Sequence, residues 1–380
     1  MIEARHAESI HEIFSRRTAP PSPAAFLKTG TSVLIYGAGN CGRDARNVLS
    51  HHGITIEGFL DKVVSPGTLI QGIPVSHPEN NGIERERRRQ VCVVIAIFNR
   101  ETDIGSIRNN LRSYGYENIV TFVEFHRHFP GELGNRFWLT AMSFYDSLEQ
   151  IIGDGLRVWH DDKSRSLYQA ILRFRMGADY ACLPPPEARK IYFDDELPRW
   201  KTPMRFVDCG SFNGDTLREL RTAYGAVQSI AAFEPDPINF VNLSLLVRSG
   251  SEFAKNTALY PCGIWSTTTQ MSFSSGQGES SSLSAGGEHR VQCVSLDEAL
   301  PGFEPTFIKM DIEGAEYEAL LGAQKMIATC RPGLAISVYH RPEHLWQIAL
   351  LVKQWDLGYR FYLRAYGHAG FDVVLYAVPQ

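Results

Sequence analysis

Met204-Arg205-Phe206-Val207-Asp208-Cys209-Gly210-Ser211-Phe212-Asn213-Gly214-Asp215-Thr216 decides the fold. The run starts as a buried strand carried by Phe206 and Val207 and reaches Asp208 at the strand end. It then turns through Gly210 to Gly214, which opens a helix. A glycine turn between strand and helix lets a ligand lie against bare backbone. The acids select the ligand. Asp208 and Asp215, in the first helical turn, would repel a pyrophosphate, because like charges at close range oppose one another. They suit a ligand that carries an ammonium and a sulfonium, and S-adenosylmethionine carries both.

One strand further on, the apolar run Ser229-Ile230-Ala231-Ala232-Phe233 ends in Glu234-Pro235-Asp236-Pro237. Neither proline has a backbone donor, so the strand stops and leaves Glu234 at its carboxyl end. Glu234 follows Asp208 by 26 residues, close to the spacing at which a second-strand acid takes ribose hydroxyls in nucleotide folds. The candidate cofactor set is therefore Asp208, Gly210, Ser211, Asn213, Gly214 and Glu234.

Several motifs carry a resemblance to a known family. In order, VDCGSFNGDT, AAFEPDP, VSLDEAL and FIKMDIEGAEYEALLGA, followed by SVYHRPEHLW and YRFYLRAYG…VVLYAVP, resemble the FkbM family of S-adenosylmethionine-dependent methyltransferases over about residues 190–380. The resemblance implies a class I methyltransferase fold, O-methylation, and sugar or secondary-metabolite hydroxyls as acceptors.

The reacting end follows from strand ends. Phe307-Ile308-Lys309-Met310 delivers Asp311 to the carboxyl edge of the sheet, where open α/β folds bind ligands. Ile336-Ser337-Val338-Tyr339 delivers His340 to the same edge, and a histidine can take a proton from a hydroxyl near neutral pH. Asp311 and His340 are the candidate catalytic residues. Asp311, Glu313 and Glu316 crowd one strand-to-helix turn. The helix dipole accounts for Glu316 there, and Lys309, the sulfonium or a hard divalent ion such as magnesium are the candidate cationic partners of the cluster. His344 and Trp346 are expected at a substrate wall or in the core.

The whole chain reads as α/β, with two Rossmann-like parallel-sheet domains in series. The expected limits are 26–130 for the first domain, 131–200 for a helical connector and 201–380 for the methyltransferase domain, closed by the antiparallel pair Tyr359–Ala365 and Asp372–Ala377. In the first domain, strand Ser32–Tyr36 leads into Gly37-Ala38-Gly39-Asn40-Cys41-Gly42 and a helix, and Asp61 follows Gly37 by 24 residues. VLIYGAG…IEGFLDKV…IQGIPVSHPE resembles the N-terminal domains of sugar O- and N-acetyltransferases, which implies a nucleotide-sugar as a ligand of this domain. The connector carries helical periodicity, with Leu167, Ile171 and Leu172 on one face. Ser274 to Gly287, rich in Ser and Gly, is expected to be a mobile loop.

Composition bounds the alternatives. A chain of 380 residues with 44% hydrophobic and 21% charged residues is globular, and a formal charge of −4 gives no reason to expect nucleic acid as a partner. The longest apolar run, Val91 to Phe98, is too short to span a bilayer. Seven scattered cysteines without a C-x-x-C pair, and a charged MIEARHAESI start, lead to the expectation of a cytoplasmic enzyme with reduced thiols. Two other function classes compete: an NAD(P)-dependent sugar-nucleotide oxidoreductase, and a non-catalytic nucleotide-binding scaffold. No tyrosine has a lysine four residues on, which removes the short-chain dehydrogenase acid. The intact Asp208, Gly210, Gly214 and Glu234 argue against a decayed scaffold.

Overall fold

Alternating strand and helix signals build two parallel sheets in the computed structural model, which describes residues 9–16, 32–62, 65, 67–249, 252–274, 282–283 and 289–380. The chain divides into two compact units. One comprises Met1–Gln150, Gln169–Pro186 and Gly367–Phe371, and the other comprises Ile151–Tyr168, Glu187–Tyr366 and Asp372–Gln380. Residues 131–200 are thus shared between the units. They carry the helices Glu149–Leu156 and Asp162–Gly177, and Ile171 and Leu172 are fully buried.

The first unit holds a six-stranded sheet built from β1 (Val33–Tyr36), β2 (Ile56–Leu60), β3 (Leu69–Ile70), β4 (Ile73–Ser76), β5 (Cys92–Ile95) and β6 (Asn118–Thr121), in the order β3-β4-β2-β1-β5-β6. All its pairings are parallel except the β3–β4 hairpin. That hairpin turns on Gln71 and Gly72, both at positive φ. β1 and β5 are buried at every position, as strands covered on both faces must be. The helix Asn40–His51 starts so close to β1 that a Cβ on Gly42 would lie 2.1 Å from the Gly37 carbonyl oxygen.

The second unit holds a seven-stranded sheet. Its strands are β7 (Arg205–Cys209), β8 (Val227–Phe233), β9 (Ala254–Tyr260), β14 (Phe307–Met310), β15 (Gly333–Ser337), β16 (Tyr359–Ala365) and β17 (Val373–Pro379), in the order β16-β17-β15-β14-β7-β8-β9. The five strands from β15 to β9 run parallel, and β17 and β16 close the sheet antiparallel. The expected closing pair is therefore present. β9 begins at Ala254, and its first residues, such as Lys255 and Asn256, lie exposed on an edge strand. Phe307 sits in the core between Trp200 and Phe206, stacked on each at 4.3 Å and 5.1 Å.

Between β9 and β14 the chain inserts a four-stranded sheet, β10 (Gly263–Ile264), β11 (Thr269–Ser274), β12 (Ser282–Leu283) and β13 (His289–Val294). Most of the expected loop Ser274–Gly287 lies outside the described residues. Ser274, Ser282 and Leu283 belong to this small sheet, with β11 paired antiparallel to both β12 and β13.

Candidate active site

Register brings the site together. Cys209 pairs with Phe233 on one side and with Met310 on the other, so Gly210, Glu234 and Asp311 leave neighbouring strands side by side at one edge. Met310 pairs with Ile336, which brings His340 to the adjacent strand end. The loop after β7 needs glycine for two reasons. Gly210 has φ +83°, and a Cβ there would lie 1.9 Å from the Asp311 carbonyl oxygen. Gly214 also has φ +83°, and its Cβ would lie 2.4 Å from Leu246 Cδ2. Both positions combine a left-handed backbone with close packing, which only glycine accepts.

The predicted cofactor residues differ in what they already touch. Asp208 is fully buried, and its charge is met within the protein: Lys309 Nζ lies 3.2 Å from Asp208 Oδ1 and donates to the Gly210 carbonyl at 2.5 Å. Burial works against the Lys309 ammonium, but Asp208 first, then Asp311 and Asp215, hold its pKa above the ordinary lysine value. Ser211 is buried and its hydroxyl donates to the Asp208 carbonyl at 3.0 Å. Asn213 is half-buried and accepts from Arg218 at 3.3 Å. Asp215, at the start of the helix Asp215–Tyr224, is exposed.

Glu234 is buried and ties the glycine loop to its own strand end. Its Oε2 accepts from the Phe212 amide at 2.7 Å and its Oε1 from the Asp236 amide at 2.9 Å. Burial raises its pKa, and these two amides pull the other way. Each carboxylate oxygen has a second lone pair with which to accept a further donor.

At the reacting end, Tyr192 donates its hydroxyl to Asp311 Oδ2 at 2.8 Å. Asp311 Oδ1 faces His340 Nε2 at 3.4 Å, and Glu313 Oε2 lies 3.7 Å from the same nitrogen. The other ring nitrogen, Nδ1, meets Glu316 Oε1 at 2.7 Å. Glu316 is fully buried. It also accepts from the Ile312 amide at 2.9 Å and lies 3.2 Å from His344 Nδ1. The helix dipole therefore does not account for Glu316: it is the anionic anchor of two histidines, and His344 and Trp346 are core residues, each 2% exposed. Only the topology places those histidines within reach of it. Burial alone would lower the His340 pKa, but Glu316, Glu313 and Asp311 overcome that and raise it to about 10. In return, burial opposes the Glu316 charge, yet His340 and His344 hold that carboxyl well below the usual range.

This arrangement does not fit a single hard cation. Ligand atoms of Asp311, Glu316 and His340 approach within 4.8 Å of one another. The imidazole, however, turns opposite nitrogens to the two acids, so the three do not converge on one point. Magnesium demands near-octahedral oxygen ligation at about 2.0–2.1 Å, and Glu316 Oε1 is already engaged by the Ile312 amide and His340 Nδ1.

In the first unit, Gly37 has φ +105°, and Asp61 Oδ2 accepts from the Ala38 amide of the glycine loop at 3.3 Å. Among the described residues, no helix is long and apolar enough to cross a membrane.

A parallel sheet closed by an antiparallel pair, with a glycine loop and a row of acids at its carboxyl edge, defines a Rossmann-like methyltransferase fold. Residues 208–361 match the family described as Methyltransferase FkbM domain. The chain is also similar to the solved structure of methyltransferase FkbM from Methylobacillus flagellatus KT, with a TM-score of 0.75 and 23% identity over 97% of this chain and 92% of that one. At that identity the likeness speaks for the fold. No curated protein matches the chain.

Proposed function

We propose that the chain transfers a methyl group from S-adenosylmethionine to a sugar hydroxyl, on a nucleotide-linked sugar, a surface glycan or a glycosylated metabolite. The observation that carries this reading is the emergence of Gly210, Glu234 and Asp311 side by side from paired strands. The residues fit the cofactor. Glu234 retains lone pairs for ribose hydroxyls, and the exposed Asp215, whose Oδ1 accepts from the Thr216 amide at 2.7 Å, presents its carboxylate to a cationic ligand. Asp208 acts through Lys309 and Gly210, because its own charge is already paired.

When bound, S-adenosylmethionine supplies an electrophilic methyl whose carbon–sulfur bond electrons return to sulfur as the acceptor oxygen bonds to carbon. Asp311 takes the hydroxyl proton, since it leaves its strand at the ligand edge and its side chain is 29% exposed there. His340, with its pKa near 10, stays an imidazolium at neutral pH. It steadies the Asp311 carboxylate rather than accepting the proton itself, a different role from the one its sequence position implied. The acid-rich edge offsets the cationic charge of the donor before transfer.

The strand–loop–helix of the first unit supports binding of a nucleotide-linked sugar there, with Asp61 at the position of a ribose acid. Joining such a binder to a methyl-donor site in one chain raises the local concentration of acceptor. The test is to incubate the full chain with S-adenosylmethionine and a panel of UDP- and GDP-linked sugars, free glycans and non-sugar alcohols, reading product by mass. A methylated sugar is the expected product. Methylation of the non-sugar alcohols alone would overturn the sugar reading.

A further inference from the structure

Tyr192 lies outside the matched family residues, in a stretch whose sequence reads only as a lead-in to the second domain. It has φ +68°, a left-handed conformation that a bulky aromatic residue rarely adopts. The surroundings hold it there. Its amide donates to Tyr376 Oη at 3.0 Å, and its carbonyl accepts from Trp200 Nε1 at 2.9 Å. Its ring lies 5.4 Å from Lys309 Nζ, the ammonium that pairs with Asp208. Only 4% of the residue is exposed.

Strain of this kind persists where surrounding contacts over-determine it, and it clusters at functional sites. The product of the strain here is one contact, the Tyr192 hydroxyl 2.8 Å from Asp311 Oδ2. Burial, and then Asp311, raise the phenol pKa well above its usual value, so it remains a donor across the working pH range. With Oδ2 held from one side, the other oxygen, Oδ1, points to His340 Nε2 at 3.4 Å.

We propose that Tyr192 is a positioning residue for methyl transfer, holding the Asp311 carboxylate in one orientation at the ligand edge, with Oδ1 turned to His340. The inference rests on the assignment of Asp311 as proton acceptor. It adds a residue that acts through Asp311 and touches neither cofactor nor acceptor. Anchored at both backbone groups, Tyr192 couples the buried Lys309–Asp208 pair beneath the glycine loop to the acid at the reacting end.

The test uses Tyr192→Phe in the full chain, which keeps the ring over Lys309 and removes only the hydroxyl. Two arms are read. In the crystal structure of the variant, the Asp311 carboxylate should turn away from His340 or occupy more than one rotamer. In turnover with S-adenosylmethionine and UDP- or GDP-linked sugars, kcat should fall at least tenfold with the KM for S-adenosylmethionine unchanged. The loss should not add to that of Asp311→Asn in the double variant. An Asp311 carboxylate that keeps its place in Tyr192→Phe overturns the proposal whether or not a sugar is methylated. If the carboxylate moves and no sugar is methylated by the wild type, the positioning role stands and the sugar reading falls. A loss of kcat that adds fully to that of Asp311→Asn also overturns the proposal.

Discussion

Lys309 and Asp208 stand opposite each other on neighbouring strands, Nζ 3.2 Å from Oδ1, with 2% and 0% of their side chains exposed. The pair lies directly beneath the glycine loop, and Lys309 also holds the Gly210 carbonyl. Breaking a buried ion pair by removing one partner leaves an uncompensated charge. Lys309→Met should therefore destabilise the protein by about 3–5 kcal/mol, read from chemical denaturation. Stability within about 0.5 kcal/mol of wild type, the range of ordinary surface changes, would mean that Asp208 is not held as an ion.

Asp311→Asn keeps the shape and removes the charge. Loss of a positioned base typically lowers turnover by about 10²–10⁴-fold, and affinity for S-adenosylmethionine should be nearly unchanged. Turnover near wild type would make Asp311 structural. Because Asp311, His340 and Glu316 do not converge on one cation, EDTA should leave turnover unaltered. Loss on chelation with recovery on adding magnesium would contradict the reading of this cluster.

The His340–Glu316 pair sets a pH signature for stability. His340 titrates at about 10 when folded, above the ordinary histidine value of about 6.5. Its contribution is complete below about pH 6.5 and is lost as pH rises through about 10. The Glu316 carboxyl is depressed, so its contribution is present above about pH 4.5 and is lost as pH falls toward its folded pKa. The melting temperature of the wild type should decline between about pH 6.5 and 10. His340→Gln should be less stable at neutral pH and lack that part of the decline. An identical pH profile in the variant would show that His340 is not held as an imidazolium.

Strand ends were legible in the sequence because apolar runs stop at acids, glycine or proline. Gly210, Glu234, Asp311 and His340 could all be placed at such ends from pattern alone. What those side chains face was not legible. The pairing of Lys309 with Asp208 depends on register between strands about a hundred residues apart. Glu316 reads as an ordinary acid in the first turn of a helix, and its two histidines reach it from a later strand end and a later helix. Tyr192 shows no signal, because a positive φ in an aromatic residue is imposed by its anchors, Tyr376 and Trp200. The small sheet was missed for a different reason. Its strands alternate in Gln270–Phe273 and Arg290–Val294, but a Ser- and Gly-rich stretch separates them and dominates the reading.

Calorimetric titration of the full chain with S-adenosylmethionine, beside Glu234→Ala and with NADH and NADPH as competing ligands, tests the central claim most directly. The account predicts saturable binding of S-adenosylmethionine to the wild type. It predicts weakening by about 1–3 kcal/mol in Glu234→Ala, the scale of hydrogen bonds lost to a charged group, and no heat from either nicotinamide cofactor. Absence of S-adenosylmethionine binding, or an affinity untouched by Glu234→Ala, would contradict it.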